Sequence, residues 1–179
     1  MTGSREESPS PSPQAISPAL CPVRLFATDV DGTLTDGGMY YTETGEVIKR
    51  FDTRDAFGMN RLRRAGIAVA IVTSEDSPIV LARARKLRIE RVYVGVEDKL
   101  SLLEKVIAEL GATWAQLAYI GDDLNDLPVI ERAGLSACPA DAASQVVDAA
   151  NYVCRRAGGH GAVREFCEWI LAECIAARG

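Results

Sequence analysis

The sequence predicts a doubly wound α/β fold, in which a parallel β-sheet lies between two layers of helices. Short runs of apolar and β-branched residues alternate with longer amphipathic segments from Val23 to near the C-terminus. These runs are apolar on both faces, as strands covered by helices on both sides are. The chain has 179 residues, of which 47% are hydrophobic, and this is enough to bury the core of one globular domain.

The alternation predicts six strands and six helices in a Rossmann-like order. We expect strands at 24–28, 68–73, 91–94, 117–120, 135–137 and 152–154. We expect helices at 55–65, 78–87, 99–110, 126–133, 142–149 and 162–177. Residues that favour helix ends support two of them, because Ser77 precedes Pro78 and Asp98 precedes a helix that Gly111 ends.

One segment after the first strand breaks the alternation. Residues 38–52, "GMYYTETGEVIKRFD", predict a projecting β-hairpin with Glu43-Thr44-Gly45-Glu46 as its turn. Its large apolar side chains would be unfavourable in water, so we expect a partner surface on the same domain or on another subunit. These side chains are Tyr40, Tyr41, Val47, Ile48 and Phe51.

The N-terminal segment differs in composition from the rest of the chain. Residues 1–22 are rich in Ser and Pro and predict a disordered tail, followed by one domain over 23–179. The tail lacks a hydrophobic signal core, and no apolar run approaches the roughly 18 residues of a membrane span. We therefore expect a cytoplasmic protein without a membrane partner. The net charge of −5 also disfavours a nucleic-acid partner.

Polar residues gather where the predicted strands end. Because ligands of open α/β sheets bind beyond the carboxyl ends of the strands, these residues should meet at one edge. Clustered carboxylates repel one another, and a divalent cation removes that conflict; Mg²⁺ suits such oxygen ligands. One aspartate is then free to act as a nucleophile, while another moves the proton and Thr73 and Lys99 bind phosphate. The residues are Asp29 and Asp31, then Thr73, Ser74 and Glu75, then Lys99, and finally Asp122, Asp123 and Asp126.

These motifs resemble a known superfamily. "DVDGTLTDGG", "IVTSED", Lys99 and "GDDLNDLPVI" are similar, in order and spacing, to the four motifs of the haloacid dehalogenase (HAD) superfamily of phosphatases. More closely, the chain from Leu25 to about Trp169 resembles the 3-deoxy-manno-octulosonate 8-phosphate phosphatase family. The matching features are "FDTRDAFGM", "VGVEDKL", "AYIGDDLNDLPV" and "RRAGGHGAVREF".

The resemblance implies a role for each matching residue. Asp29 would be the nucleophile and Asp31 the general acid and base. It also implies an Mg²⁺-dependent phosphatase of a small phosphorylated sugar acid, with Thr73 and Lys99 as phosphate ligands. The implied metal ligands are Asp29, the Asp31 backbone carbonyl and Asp122, with Asp123 and Asp126 in support.

The resemblance further implies a homotetramer without a cap domain, in which the hairpins assemble. It also implies that the glycine-rich segment at 156–165, "RAGGHGAVRE", helps to complete the site of a neighbouring subunit. The spacing independently supports the absence of a cap. Only 41 residues separate Asp31 from Thr73, and 22 separate Lys99 from Asp122. Predicted elements already fill both intervals, so another subunit is the simplest way to shield the reaction from water.

The nature of the sugar stays open. The octulosonate phosphatases usually carry Gly-Arg after the motif threonine, whereas this chain has Ser74-Glu75. A glutamate there is similar to phosphatases of 2-keto-3-deoxynononate 9-phosphate, while Arg54 is similar to the octulosonate enzymes. A glutamate suits hydroxyl or amine groups, and an arginine suits a carboxylate. The predicted substrate-binding residues are Arg54, Ser74, Glu75, Gly159 and His160.

Three other functions were weighed against this one. A non-catalytic oligomerisation module of sugar-nucleotide synthesis is disfavoured because the catalytic motifs are intact. A phospho-accepting receiver domain is disfavoured because its acceptor follows the third strand, where this chain offers only Asp98. A phosphatase of a macromolecular substrate remains an alternative, since an open site would admit one.

Overall fold

A computed structural model describes residues 23–176, so the predicted tail and the last three residues lie outside the described part. A six-stranded parallel sheet has the order β5-β4-β1-β6-β7-β8. This arrangement confirms the predicted doubly wound, Rossmann-like fold. The strands are β1 (Leu25–Thr28), β4 (Ala68–Val72), β5 (Arg91–Tyr93), β6 (Leu117–Ile120), β7 (Leu135–Cys138) and β8 (Tyr152–Val153).

Helices cover both faces of this sheet and bury a separate hydrophobic cluster on each. Phe26 of β1 packs on one face with residues of α1, α2 and α6. Leu25 and Ala27 of the same strand pack on the other face with residues of α3, α4 and α5. The helices are α1 (Thr53–Arg64), α2 (Pro78–Leu87), α3 (Lys99–Glu109), α4 (Leu127–Ile130), α5 (Ser144–Ala149) and α6 (Ala162–Ala176).

The predicted hairpin is present and forms a separate antiparallel pair of strands, β2 (Tyr40–Thr42) and β3 (Gly45–Ile48). Thr42 pairs with Gly45, so the turn consists of Glu43 and Thr44 alone. The predicted turn, Glu43 to Glu46, is therefore wrong by two residues, because Gly45 and Glu46 belong to β3. Its apolar side chains lie largely in solvent, with exposed fractions from 40% to 62%. They are Met39, Tyr40, Tyr41, Val47 and Ile48.

The helix caps are only partly as expected. Asp98 accepts a hydrogen bond from the Ser101 N–H, which confirms it as the cap of α3. Asp52 caps α1 in the same way, so this helix begins two residues before the predicted start. Ser77 precedes α2, but its side chain makes no capping bond, and the predicted cap is wrong in that respect. The predicted helix at 126–133 shortens to four residues in α4.

Within residues 23–176 no cap domain interrupts the fold. Between β1 and β4 the chain forms only the hairpin and α1, and between α3 and β6 only a 3₁₀ turn at Trp114–Gln116. None of the described helices has the length and apolar character that a membrane crossing requires.

Candidate active site

The loop after β1 presents two carboxylates at the carboxyl edge of the sheet. The Asp29 N–H donates to the Ile120 carbonyl at 3.0 Å, which extends the pairing of β1 with β6 by one residue. Asp29 is buried, with 5% of its surface exposed. The chain then turns at Gly32, whose φ is +84°, and the Thr35 N–H donates back to the Val30 carbonyl at 2.9 Å. The central strand and this turn therefore fix the backbone that carries Asp29 and Asp31.

Lys99 reaches this loop from the first turn of α3. Its Nζ donates to Asp29 Oδ1 and to Asp126 Oδ1, both at 2.6 Å, and 2% of the residue is exposed. Burial lowers the pKa of Lys99, but the two adjacent carboxylates raise it above its ordinary value. The ammonium is therefore charged, and it places a positive group beside the Asp29 carboxylate.

Asp126 organises the loop that follows β6. Its Oδ1 accepts from Lys99 and from the Tyr119 hydroxyl, and its Oδ2 accepts from the N–H groups of Asp122 and Asp123. With both oxygens engaged, Asp126 shapes the loop around Asp122, which fits the supporting role predicted for it. The contribution of Tyr119 was missed, because an apolar strand with one tyrosine reads as ordinary core.

Three carboxylates lie close enough to share a cation. One oxygen each of Asp29, Asp122 and Asp126 lies within 4.8 Å of the others. Asp122 accepts from the Thr33 hydroxyl at 2.9 Å. Gly32 lies against it, because a Cβ there would stand 2.0 Å from Asp122 Oδ2. The approach of the two loops that carry Asp29 and Asp122 thus depends on this glycine.

The electrostatics of the cluster fit a divalent cation. Burial, reinforced by the Asp126 carboxylate, raises the pKa of Asp29 well above its ordinary value. Burial also raises the pKa of Asp122 to about 6. A cation with a preference for oxygen ligands would remove this conflict. Because Asp126 is fully hydrogen-bonded, Asp29 and Asp122 are the side chains best able to hold a divalent cation.

The residues after β4 lie at the same edge of the sheet. Thr73 is 1% exposed, and its N–H donates to the Tyr93 carbonyl at 2.9 Å. The Ser74 hydroxyl accepts from the side-chain amide of Asn125 at 3.2 Å, which joins this loop to the one after β6. Glu75 follows with an exposed side chain. The structure therefore brings Thr73, Ser74 and Glu75 to the loop of Asp122, as expected.

Arg54 lies elsewhere on the chain. It forms a salt bridge with Asp52 at 2.6 Å and lines an open cavity of about 780 Å³ with Arg155, Arg156 and Arg164. None of the predicted catalytic residues is among the described residues that line this cavity. Within a single chain, Arg54 is therefore not part of the acidic cluster.

The glycine-rich segment packs against the loop that follows β1 in its own chain, residues 29–36, which we call the catalytic loop. The Gly159 N–H donates to the Thr33 carbonyl at 3.0 Å, and a Cβ at Gly158 would stand 1.8 Å from the Gly32 carbonyl oxygen. His160 is exposed, and its Nδ1 lies 2.7 Å from the Gly158 carbonyl oxygen. The close approach of the two backbones explains why the segment has glycines at 158 and 159. Substrate binding by Gly159 and His160 stays a prediction.

One further residue near the site was missed by the sequence analysis. Lys49 is buried, and its Nζ forms a salt bridge with Asp31 Oδ1. Within "EVIKRF" a lysine reads as a solvated residue at the base of the hairpin. No local pattern indicates that it turns inward toward a loop 18 residues earlier in the chain.

Comparisons with known proteins agree with this fold. The profile of the haloacid dehalogenase-like hydrolases matches residues 89–166. The chain is 43% identical over 149 residues to 3-deoxy-D-manno-octulosonate 8-phosphate phosphatase KdsC of Yersinia pestis, covering 83% of this chain and 80% of that protein. It is 41% identical to KdsC of Escherichia coli K12, covering 83% and 79%. The chain therefore belongs to the 3-deoxy-D-manno-octulosonate 8-phosphate phosphatase family and is a phosphoric monoester hydrolase.

Solved structures support the same family. The Yersinia pestis phosphatase superposes with a TM-score of 0.84 at 39% identity, covering 93% of this chain and 90% of that one. A cobalt-bound phosphatase from Haemophilus influenzae superposes with a TM-score of 0.84 at 39% identity, covering 88% of this chain and 92% of that one. The 3-deoxy-D-manno-octulosonate 8-phosphate phosphatase from Moraxella catarrhalis was solved in complex with a magnesium ion, a phosphate ion and KDO, the abbreviation for 3-deoxy-D-manno-octulosonate. It superposes with a TM-score of 0.81 at 37% identity, covering 89% of this chain and 95% of that one.

Proposed function

We propose that this chain is an Mg²⁺-dependent phosphatase of a phosphorylated ulosonic acid, with 3-deoxy-D-manno-octulosonate 8-phosphate as the first candidate substrate. One observation carries the proposal. The buried Asp29 carboxylate is held by Lys99 at the edge of the sheet, with Asp122 within metal-sharing distance. The curated relatives named as phosphatases of that substrate support the choice of sugar.

The first half of the proposed reaction transfers the phosphoryl group to Asp29. Its carboxylate oxygen forms a bond to phosphorus while the bond from phosphorus to the sugar oxygen breaks. Asp31 gives a proton to the leaving sugar oxygen. Lys99 and Thr73 stabilise the charge on the phosphoryl oxygens. Asp29 and Asp122 would hold the divalent cation, which would supply further positive charge for the phosphoryl oxygens.

The second half regenerates the enzyme. A water molecule attacks the phosphorus of the aspartyl-phosphate, and Asp31, now ionised, takes its proton. The bond between phosphorus and the Asp29 oxygen breaks, which releases inorganic phosphate and restores the carboxylate. A single side chain thus acts as acid and then as base, and Asp31 lies two residues from the nucleophile on a fixed turn.

A phosphate-release assay tests the reaction and its nucleophile. Purified protein with Mg²⁺ is assayed against a panel of phosphorylated sugar acids, beside Asp29→Asn. We expect the wild type to release phosphate from an ulosonic acid phosphate and the variant to show none. Asp148→Asn, which makes the same change at an exposed position on α5, is expected to be fully active. Equal activity in Asp29→Asn and wild type would remove the nucleophile assignment.

The choice of sugar is tested at Glu75. The Glu75 N–H donates to the Thr73 hydroxyl at 3.2 Å. Its side chain is exposed and stands at the position where the octulosonate phosphatases usually carry arginine. Glu75→Arg is expected to raise the preference for octulosonate 8-phosphate over 2-keto-3-deoxynononate 9-phosphate. The ratio of kcat/KM for the two substrates measures the change, and an unaltered ratio would exclude Glu75 from the selectivity.

The proposal extends to a homotetramer assembled through the hairpins. The hairpin exposes Tyr41 to 62% and Val47 to 47%, and exposed apolar side chains of this kind favour burial against another subunit. Light scattering on a double variant, Tyr41→Glu with Val47→Glu, is expected to show a smaller species than the wild type. An unchanged oligomer would count against the role of the hairpin.

A further inference from the structure

Lys49 is a buried lysine at the point where the hairpin returns to the domain. It directly follows β3, and its side chain has no exposed surface. Its ammonium lies 2.5 Å from Asp31 Oδ1 and 2.8 Å from Glu46 Oε1. A buried ammonium is tolerated only where opposite charges compensate it. The two carboxylates supply that compensation, so the three side chains form one unit.

The same contacts continue to the start of α2. Ser77 is 2% exposed, and its hydroxyl donates to Glu46 Oε2 at 2.9 Å. A serine directly before a helix commonly caps it, yet Ser77 makes no such bond. Its hydroxyl instead joins the segment after β4 to the hairpin. The series from Ser77 through Glu46 and Lys49 to Asp31 therefore links three separate parts of the chain.

The two oxygens of Asp31 have different surroundings. Oδ1 accepts from Lys49 and, at 3.4 Å, from the Thr35 hydroxyl. Oδ2 is buried and has no hydrogen-bond partner among the described residues. A carboxylate held by an ammonium through one oxygen has a fixed orientation.

We propose that Lys49 is a positioning residue, which holds the Asp31 carboxyl group in one orientation through Oδ1 while that group exchanges the proton. In the first step the proton moves from the Asp31 carboxyl group to the sugar oxygen as the bond between that oxygen and phosphorus breaks. In the second step the Asp31 carboxylate takes a proton from the attacking water. Lys49 keeps its own protons and does not touch the substrate. The inference rests on the proposed function, which assigns the acid and base role to Asp31.

A comparison of two leaving groups separates this role from a structural one. The sugar oxygen of octulosonate 8-phosphate must be protonated as it leaves, whereas the nitrophenolate of p-nitrophenyl phosphate leaves without a proton. Lys49→Met is expected to lower kcat/KM for the sugar phosphate by about 10- to 100-fold. For p-nitrophenyl phosphate the expected loss is less than about 3-fold. Lys105→Met, the same change at an exposed position on α3, should leave both values unchanged.

A double variant tests whether Lys49 acts through Asp31. If it does, adding Lys49→Met to Asp31→Asn should cause no further loss of octulosonate 8-phosphate hydrolysis, measured at high enzyme concentration. Independent roles would instead multiply the two losses. Multiplied losses, or equal losses on both substrates in the single variant, would overturn the inference.

The outcomes also separate this inference from the proposed function. Wild-type hydrolysis of the sugar phosphate by Asp31→Asn would remove the acid and base assignment itself. An impaired Asp31→Asn beside a fully active Lys49→Met would remove only the role of Lys49. If Lys49→Met does not fold, Lys49→Gln, which keeps a polar donor without the charge, takes its place with the same expected ratio between substrates.

Discussion

Replacing Gly158 by alanine is expected to displace the catalytic loop from behind. A Cβ at this position would stand 1.8 Å from the Gly32 carbonyl oxygen and 3.1 Å from that of Thr35. Ordinary contacts begin at 3.4 Å, so the loop or the glycine-rich segment must move by about 1.6 Å. Both neighbours are backbone atoms, which cannot rotate away as the end of a side chain can. The movement would therefore reach Asp31, the residue before Gly32.

The magnitude follows from this displacement. Overfilling a packed site typically costs about 1–3 kcal/mol, and each kcal/mol lowers Tm by about 2–4 °C in a chain of this size. A misplacement of about 1 Å at a reacting group can cost about 100-fold in rate. We thus expect Gly158→Ala to lower kcat for octulosonate 8-phosphate by about 100-fold and to lower Tm by about 2–12 °C.

Gly111→Ala is a control that destabilises the fold without a collision. Gly111 has a left-handed backbone, with φ +58°, which Gly158 does not have, and a Cβ at Gly111 meets nothing within 4 Å. This control should cost about 1–2 kcal/mol and leave kcat unchanged. Phosphate release and thermal unfolding measure the two effects. Wild-type kcat in Gly158→Ala would refute the inference that the glycine-rich segment supports the catalytic loop.

Three further predictions follow from buried groups. Burial raises the pKa of Asp55 to about 6, so its proton stabilises the folded state fully below about pH 4 and this contribution is lost as pH rises through 6. The fall in unfolding free energy between pH 4 and pH 7 should therefore be about 3 kcal/mol smaller in Asp55→Asn than in the wild type. Parallel curves of unfolding free energy against pH for the two proteins would contradict this. Tyr119→Phe removes the hydroxyl donor to the Asp126 carboxylate and should cost about 1.5–3 kcal/mol in urea unfolding; unchanged stability would show that the bond contributes nothing. Saturating Mg²⁺, at about 100 times its Kd, should stabilise the wild type by about 2.7 kcal/mol, and an equal rise in Tm for Asp122→Asn would exclude Asp122 as a ligand.

Local patterns were sufficient to predict the sheet and the acidic edge. Buried parallel strands require apolar runs such as 25–28, and the carboxylates stand directly after them, so chain order predicts their convergence. Asp98 marks a helix start through its bond to the Ser101 N–H, and Pro78 marks one through its fixed φ at the first helical position. Such features depend on neighbours in sequence, which explains why the strand bounds agree closely with the structure.

Long-range polar contacts could not be predicted in this way. Lys49 contacts Asp31 only because the hairpin folds back onto the domain. Ser77 makes no capping bond, and its hydroxyl instead donates to Glu46 of the same hairpin. Tyr119 reaches Asp126 across the edge of the sheet. None of these pairings leaves a periodic pattern in the sequence.

The central claim is that Asp29 carries the phosphoryl group between the two halves of the reaction. Asp31→Asn slows the second half but lets p-nitrophenyl phosphate react, so this variant should accumulate the phosphorylated enzyme. Acid-quenched Asp31→Asn, digested and analysed by mass spectrometry, should carry one phosphoryl group on Asp29, and the double variant with Asp29→Asn should carry none. A phosphoryl group on another residue, or p-nitrophenol release by the double variant at the rate of Asp31→Asn, would contradict the account.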